Sequence, residues 1–111
     1  PAQLAARFAR AVEAHLGSCV TLENIGAELG VTATHLTRTL RETAGMTAAA
    51  YMQARLMHEA RRRLSDTDAS AAMIAADLGF SSPAYFTRAF RRETGQTPSA
   101  FRAEARRVAS I

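Results

Sequence analysis

Ile25-Gly26-Ala27-Glu28-Leu29-Gly30-Val31 lies over Ile74-Ala75-Ala76-Asp77-Leu78-Gly79-Phe80 at an offset of 49. One extra residue in the second turn moves the offset to 50. Thr37-Arg38 then matches Thr87-Arg88, Leu40-Arg41 matches Phe90-Arg91, and Gly45 matches Gly95. Thr47 matches Thr97 and Tyr51 matches Phe101. Caps, glycines and apolar positions thus recur in one register, which marks an internal duplication. Each copy reads as a short helix, a turn containing Gly, and a second helix.

The elements around this repeat are helical too. Pro occurs three times, Ala dominates, and β-branched runs are absent. Leu4, Phe8, Val12 and Leu16 recur at helical spacing, with Arg7, Arg10 and Glu13 off that stripe and Gly17 as a stop. Thr21 caps a segment bearing Leu22, Ile25 and Leu29, which Gly30 ends. Thr32 caps the next, with Leu36 and Leu40 inward. Thr47 opens a longer helix in which Met52, Leu56, Ala60 and Leu64 repeat every four residues. Asp66, Asp68 and Ser70 form a polar turn before Ile74 and Leu78. Ser82 caps the helix begun by Pro83, with Phe86 and Phe90 inward. Thr97-Pro98 begins a last helix holding Phe101, with Arg102, Arg106 and Arg107 outside. The four Met (Met46, Met52, Met57, Met73) read as core filler.

Composition narrows the function. The 111 residues suit one domain or two very small ones. No apolar run approaches the ~18 residues of a membrane span, and the charged start from Pro1 to Gly17 does not read as a signal peptide. Cys19 has no second Cys to pair with, and His15, His35 and His58 do not form a metal-ligand spacing. No paired catalytic groups stand out, so neither a cofactor nor an enzymatic activity is expected. The cations are all Arg, 14 against 10 acidic residues. A net charge of +4 and a sequence pI near 10.5 suit a polyanionic partner as well as they suit a merely solvated surface.

A braced second helix with an apolar inner face and a short, polar or cationic outer face is what the major groove of DNA requires. Thr34, Thr37, Arg38 and Arg41 surround the outer side in the first copy; Ala84, Tyr85, Arg88, Arg91 and Arg92 do so in the second.

The stretch AADLGFSSPAYFTRAFRRETGQTPSAFR, from Ala75 to Arg102, resembles the signature of the AraC/XylS-type transcription regulators. The Gly-Phe pair, the two spaced Phe, the Gly, the Thr-Pro and the aromatic-Arg ending all match. The likeness extends from Leu4 to Arg107, and Tyr51 through Leu64 is similar to the family's central linker helix. Leu40 stands where the family often has Phe.

The resemblance implies an all-α, homeodomain-like fold of about seven helices. Two helix-turn-helix subdomains, over 1–46 and 65–111, would be joined by a linker helix over 47–64. It implies sequence-specific binding of double-stranded DNA in two successive major-groove segments, and hence transcription regulation in the cytoplasm. Neighbouring groove segments lie ~34 Å apart. A linker helix of roughly 27 Å, at ~1.5 Å per residue, plus flanking turns spans that distance. Tandem copies, unlike two-fold copies, predict a non-palindromic site.

The base contacts expected are Thr34, Thr37, Arg38, Ala84, Tyr85 and Arg88, with Arg38 and Arg88 aimed at guanine. The family also places a base contact at the position of Pro83. Tyr85 is placed either to touch a base or sugar or to pack beside Phe86. Phosphate contacts are expected from Arg41, Thr47, Arg91, Arg92 and Thr97, where the two Thr serve equally well as simple caps. Arg61-Arg62-Arg63 reads by default as a solvated helix face. RNA polymerase is a further partner implied, no membrane is, and a small-molecule effector would act through a domain outside this chain. The start at Pro1 reads as that of a carboxy-terminal piece of a longer regulator. Two alternatives remain: a DNA-targeting module of a bifunctional DNA-repair enzyme, and a helical protein-interaction domain.

Overall fold

A computed structural model describes residues 2–17 and 21–111; Cys19 lies outside the described residues. Seven helices and no strands are found among them: α1 (Ala2–His15), α2 (Leu22–Leu29), α3 (Ala33–Ala44), α4 (Ala48–Asp66), α5 (Ala71–Asp77), α6 (Pro83–Thr94) and α7 (Pro98–Ala109). The all-α reading of the sequence holds element by element.

The helix starts are set by side-chain caps that recur in the repeat register. The Thr21 and Ser70 hydroxyls each accept from the backbone N–H three residues on, at Asn24 and Met73, both at 3.1 Å. Thr32 and Ser82 do the same for His35 and Tyr85, and Thr47 and Thr97 for Ala50 and Ala100. Each bond satisfies an amide that the first helical turn leaves without an intrahelical partner. At the far ends of α3 and α6, Gly45 and Gly95 adopt positive φ (73° and 82°), and their N–H groups close on the carbonyls of Arg41 and Arg91. A Cβ at that φ would be strained, so Gly stops both helices.

The chain divides into two compact units, 1–55 and 56–111, with α4 contributing to both. In the first, Leu4, Phe8, Ala11 and Val12 of α1 pack with Ile25, Leu36, Leu40 and Ala48. In the second, Met57, Ala60 and Leu64 of α4 pack with Ile74, Ala75, Leu78, Phe86, Ala89 and Phe90. The second core is the more aromatic. Phe86 and Phe90 stand 5.8 Å apart between ring centres, and Phe90 meets Phe101 edge-on at 5.5 Å. Such edge and tilted contacts add to the burial of the rings.

Two sequence expectations are corrected here. Met46 and Met73 are exposed, and only Met57 of the four is fully buried. Met73 sits on an α5 of seven residues whose buried positions are Ile74 and Ala75. Arg102, expected outside, is half-buried: it donates to the carbonyls of Leu64, Thr67 and Ala69. The end of α4 and the loop after it leave those carbonyls open, and a planar guanidinium can satisfy several at once.

Candidate nucleic-acid interface

The second helix of each copy is presented in the same way. In α3, Leu36, Thr39 and Leu40 are buried; in α6, Phe86, Ala89 and Phe90 are. Position by position, Arg38 matches Arg88 as exposed, Thr37 matches Thr87 as half-buried, and Arg41 matches Arg91 as exposed. The inward triplet holds the helix, so the opposite side faces solvent.

The turn before α3 is tight. The Val31 N–H donates to the Gly26 carbonyl at 2.9 Å, and a Cβ on Gly26 would lie 2.8 Å from the Val31 carbonyl oxygen. The second copy makes the same bond, from the Phe80 N–H to the Ala75 carbonyl at 2.9 Å, with Ala in place of Gly. The first helix of each copy is thereby locked to the turn that leads into the second.

In the first unit, Thr34, Thr37, Arg38 and Arg41 come together as walls of one open groove of about 490 Å³. Glu42 completes that lining. Glu42 is not among the expected contact residues, although it stands at the position of Arg92, 50 residues on in the repeat. Thr47 is set apart as the cap of α4, half-buried, with its hydroxyl oxygen engaged by the Ala50 N–H at 3.0 Å.

In the second unit, Ala84, Tyr85, Arg88, Arg91 and Arg92 are all exposed on α6. Tyr85 is 41% exposed, and its ring rests against Phe80 at 5.9 Å. Tyr85 thus packs beside an aromatic ring, that of Phe80, while keeping an exposed edge. Pro83 is exposed at the first helical position. Thr97 caps α7 as Thr47 caps α4, but Pro98 lacks the backbone N–H that Ala48 retains. The first turn of α7 therefore offers one donor fewer.

Other charged groups are engaged within the fold. Arg62 and Arg63 of the Arg run both donate to Glu59 at 2.8 Å, and Arg63 also approaches Asp77 at 3.8 Å. The Arg62 hydrogen bond, helped by Arg63, holds the Glu59 carboxyl down at about 2, against a burial effect that acts to raise it. Glu59 raises the Arg62 guanidinium in turn. Arg106 meets Asp68 at 2.6 Å and Arg55 meets Glu13 at 2.6 Å. His15 bridges α1 to α2 through Glu28 at 2.8 Å. No cluster of His, Cys, Asp and Glu fit to hold a metal ion occurs among the described residues, and no described helix is long and apolar enough to cross a membrane.

A family profile described as a helix-turn-helix domain matches residues 25–104. The right origin-binding protein of Escherichia coli is 33% identical over 91 residues, covering 82% of this chain and 32% of its own length. The probable transcription factor PqrA of Proteus vulgaris is 35% identical over 83 residues, covering 75% of this chain and 68% of its own. The chain spans about a third of the length of the right origin-binding protein and most of PqrA. Among solved structures, the DNA-binding domain of AdpA, a global transcriptional factor captured with a target DNA, superposes with a TM-score of 0.80 at 30% identity. That match covers 93% of this chain and 92% of the AdpA domain. By sequence profile, by relatives and by fold, the chain belongs to the helix-turn-helix domains of the AraC type.

Proposed function

We propose that this chain binds double-stranded DNA sequence-specifically, with α3 and α6 as the two reading helices, and so regulates transcription. The observation that carries this reading is the matched presentation of Arg38 and Arg88. Both are exposed, on the side of a helix opposite a buried triplet, at the same position of a duplicated unit. Each can bridge the O6 and N7 acceptors of a guanine. Thr34 and Thr37 beside Arg38, and Ala84 and Tyr85 beside Arg88, complete the base-facing sets by hydroxyl and apolar contact. Arg41, Arg91 and Arg92 take phosphates, as do the first turns after Thr47 and Thr97.

Two tandem units suit a bipartite, non-palindromic site in successive major-groove segments. The chain acts as the DNA-binding part of a longer regulator working in the cytoplasm, on the nucleoid. It works there as a binding module rather than as an enzyme. RNA polymerase is the partner through which activation would run, and an effector would act from a separate domain.

Selection of sites from randomised duplex DNA, followed by salt titration of the selected duplex, tests the proposal. A single enriched, asymmetric motif is expected. Affinity should fall by about 10³–10⁵ between about 50 and about 200 mM salt for a reader making ~6–10 phosphate contacts. Weak binding with a flat salt response would instead assign the chain to protein interaction.

A further inference from the structure

The two reading helices carry opposite charges at one equivalent position. Glu42 of α3 and Arg92 of α6 are 50 residues apart, the same offset that pairs Arg38 with Arg88 and Arg41 with Arg91. Both are exposed. Glu42 lines the same open groove as Arg38 and Arg41, one turn beyond Arg38 on the same stripe of the helix. No ion pair neutralises it among the described residues, whereas Arg92 approaches its neighbour Glu93 at 3.9 Å. The imbalance extends to the whole units. Five Arg and four Glu fall in 1–55, nine Arg and six acidic residues in 56–111, so the first unit carries the smaller excess of positive charge, which Glu42 helps to lower.

Resting on the reading of α3 as a DNA-facing helix, we propose that Glu42 is a specificity-determining residue, which withholds phosphate affinity from the first unit. Duplex DNA carries one negative charge per ~1.7 Å of axis, and binding to an arbitrary sequence is almost wholly a phosphate interaction. A carboxylate beside the backbone therefore weakens arbitrary binding. At the preferred site the base-edge contacts of Arg38 and its neighbours hold α3 in one pose, whereas arbitrary binding is governed by closeness to phosphate alone, so the same carboxylate costs arbitrary binding more. A repulsive group that penalises the wrong partner more than the right one raises the ratio between them. The first unit thus discriminates, while Arg88, Arg91 and Arg92 give the second unit its grip.

The test uses the full chain, a preferred duplex obtained by selection, and a scrambled duplex of the same length, titrated from about 50 to about 200 mM salt. Glu42→Arg is expected to tighten the scrambled duplex more than the preferred one, so that their ratio falls. One added phosphate contact steepens the logarithmic salt slope by about 0.9, an extra loss of about 3.5-fold over that range. Glu42→Gln should move the ratio in the same direction by less, and Arg92→Glu should make the slope shallower. Equal tightening of both duplexes by Glu42→Arg, or no change in either, overturns the proposal. So does loss at the preferred duplex alone, which would make Glu42 a base contact. Failure of the underlying DNA reading looks different: no sequence is selected, and Arg38→Ala changes nothing. Glu42→Gln is nearly isosteric at an exposed site, so unchanged thermal melting separates a charge effect from misfolding.

Discussion

The Nε of Arg102 donates to the main-chain carbonyl of Leu64 at 3.0 Å, across 38 residues of sequence. Its Nη2 donates to the carbonyls of Thr67 and Ala69. One side chain from α7 thereby closes the end of α4 and the loop leading to α5. That loop delivers α5, the brace against which α6 is set.

Arg102→Ala should therefore act on stability ahead of DNA contact. Hydrogen bonds from a charged donor to carbonyls are worth ~1.5–3 kcal/mol, and part of this cluster is exposed, so a loss of about 2 kcal/mol is expected. Urea denaturation measures it. Arg102→Lys should recover only part, because an ammonium lacks the planar fork. A full recovery by Lys would mean that charge alone matters there.

Arg38→Ala and Arg88→Ala should leave the melting temperature unchanged and each weaken the preferred duplex by ~1–3 kcal/mol. Each should relax base choice at its own position, the two about one helical turn apart. Binding titrations on single-base variants of the selected site distinguish this from a uniform loss, which would identify phosphate anchors.

Phe86→Ala removes a wholly buried ring that touches Phe80 and Phe90. Truncations of this kind cost ~3–5 kcal/mol. Calorimetry should show the second unit destabilised, and an unchanged transition would contradict the packing described.

Gly26→Ala places a Cβ 2.8 Å from the Val31 carbonyl oxygen, which is backbone and cannot swing away. Destabilisation of about 1–3 kcal/mol is expected from the forced shift. Since the second copy carries Ala75 at the matching position, the reverse change, Ala75→Gly, should open a small void rather than relieve a clash. Thermal melts of the two variants make the comparison.

Glu59 supplies a pH dependence with a defined sign. Its folded carboxyl titrates at about 2 instead of 4.5, chiefly through the Arg62 hydrogen bond. The unfolded chain therefore binds the proton more readily, and acid favours unfolding. The stability that Glu59 contributes is complete above about pH 5 and fades as the pH falls toward 2. Denaturation of the wild type and of Glu59→Gln should differ at neutral pH and converge in acid.

Local sequence encodes the helices, their caps and the duplication. Thr32 and Ser82 serve amides three residues away, and Gly45 and Gly95 close on carbonyls four residues back, so these signals lie within one turn of chain. It also encodes which side of α3 and α6 turns inward, because Leu36 with Leu40 and Phe86 with Phe90 repeat at the helical period. What lies beyond a turn's reach depends on long-range packing. Helical spacing put Arg102 outside, but carbonyls contributed by residues 33–38 positions earlier draw it in. The ring that Tyr85 packs against, Phe80, is set by tertiary contact, as is the exposure of Met73 on α5. Periodicity states which residues share a face; which face is covered depends on segments brought together from far along the chain.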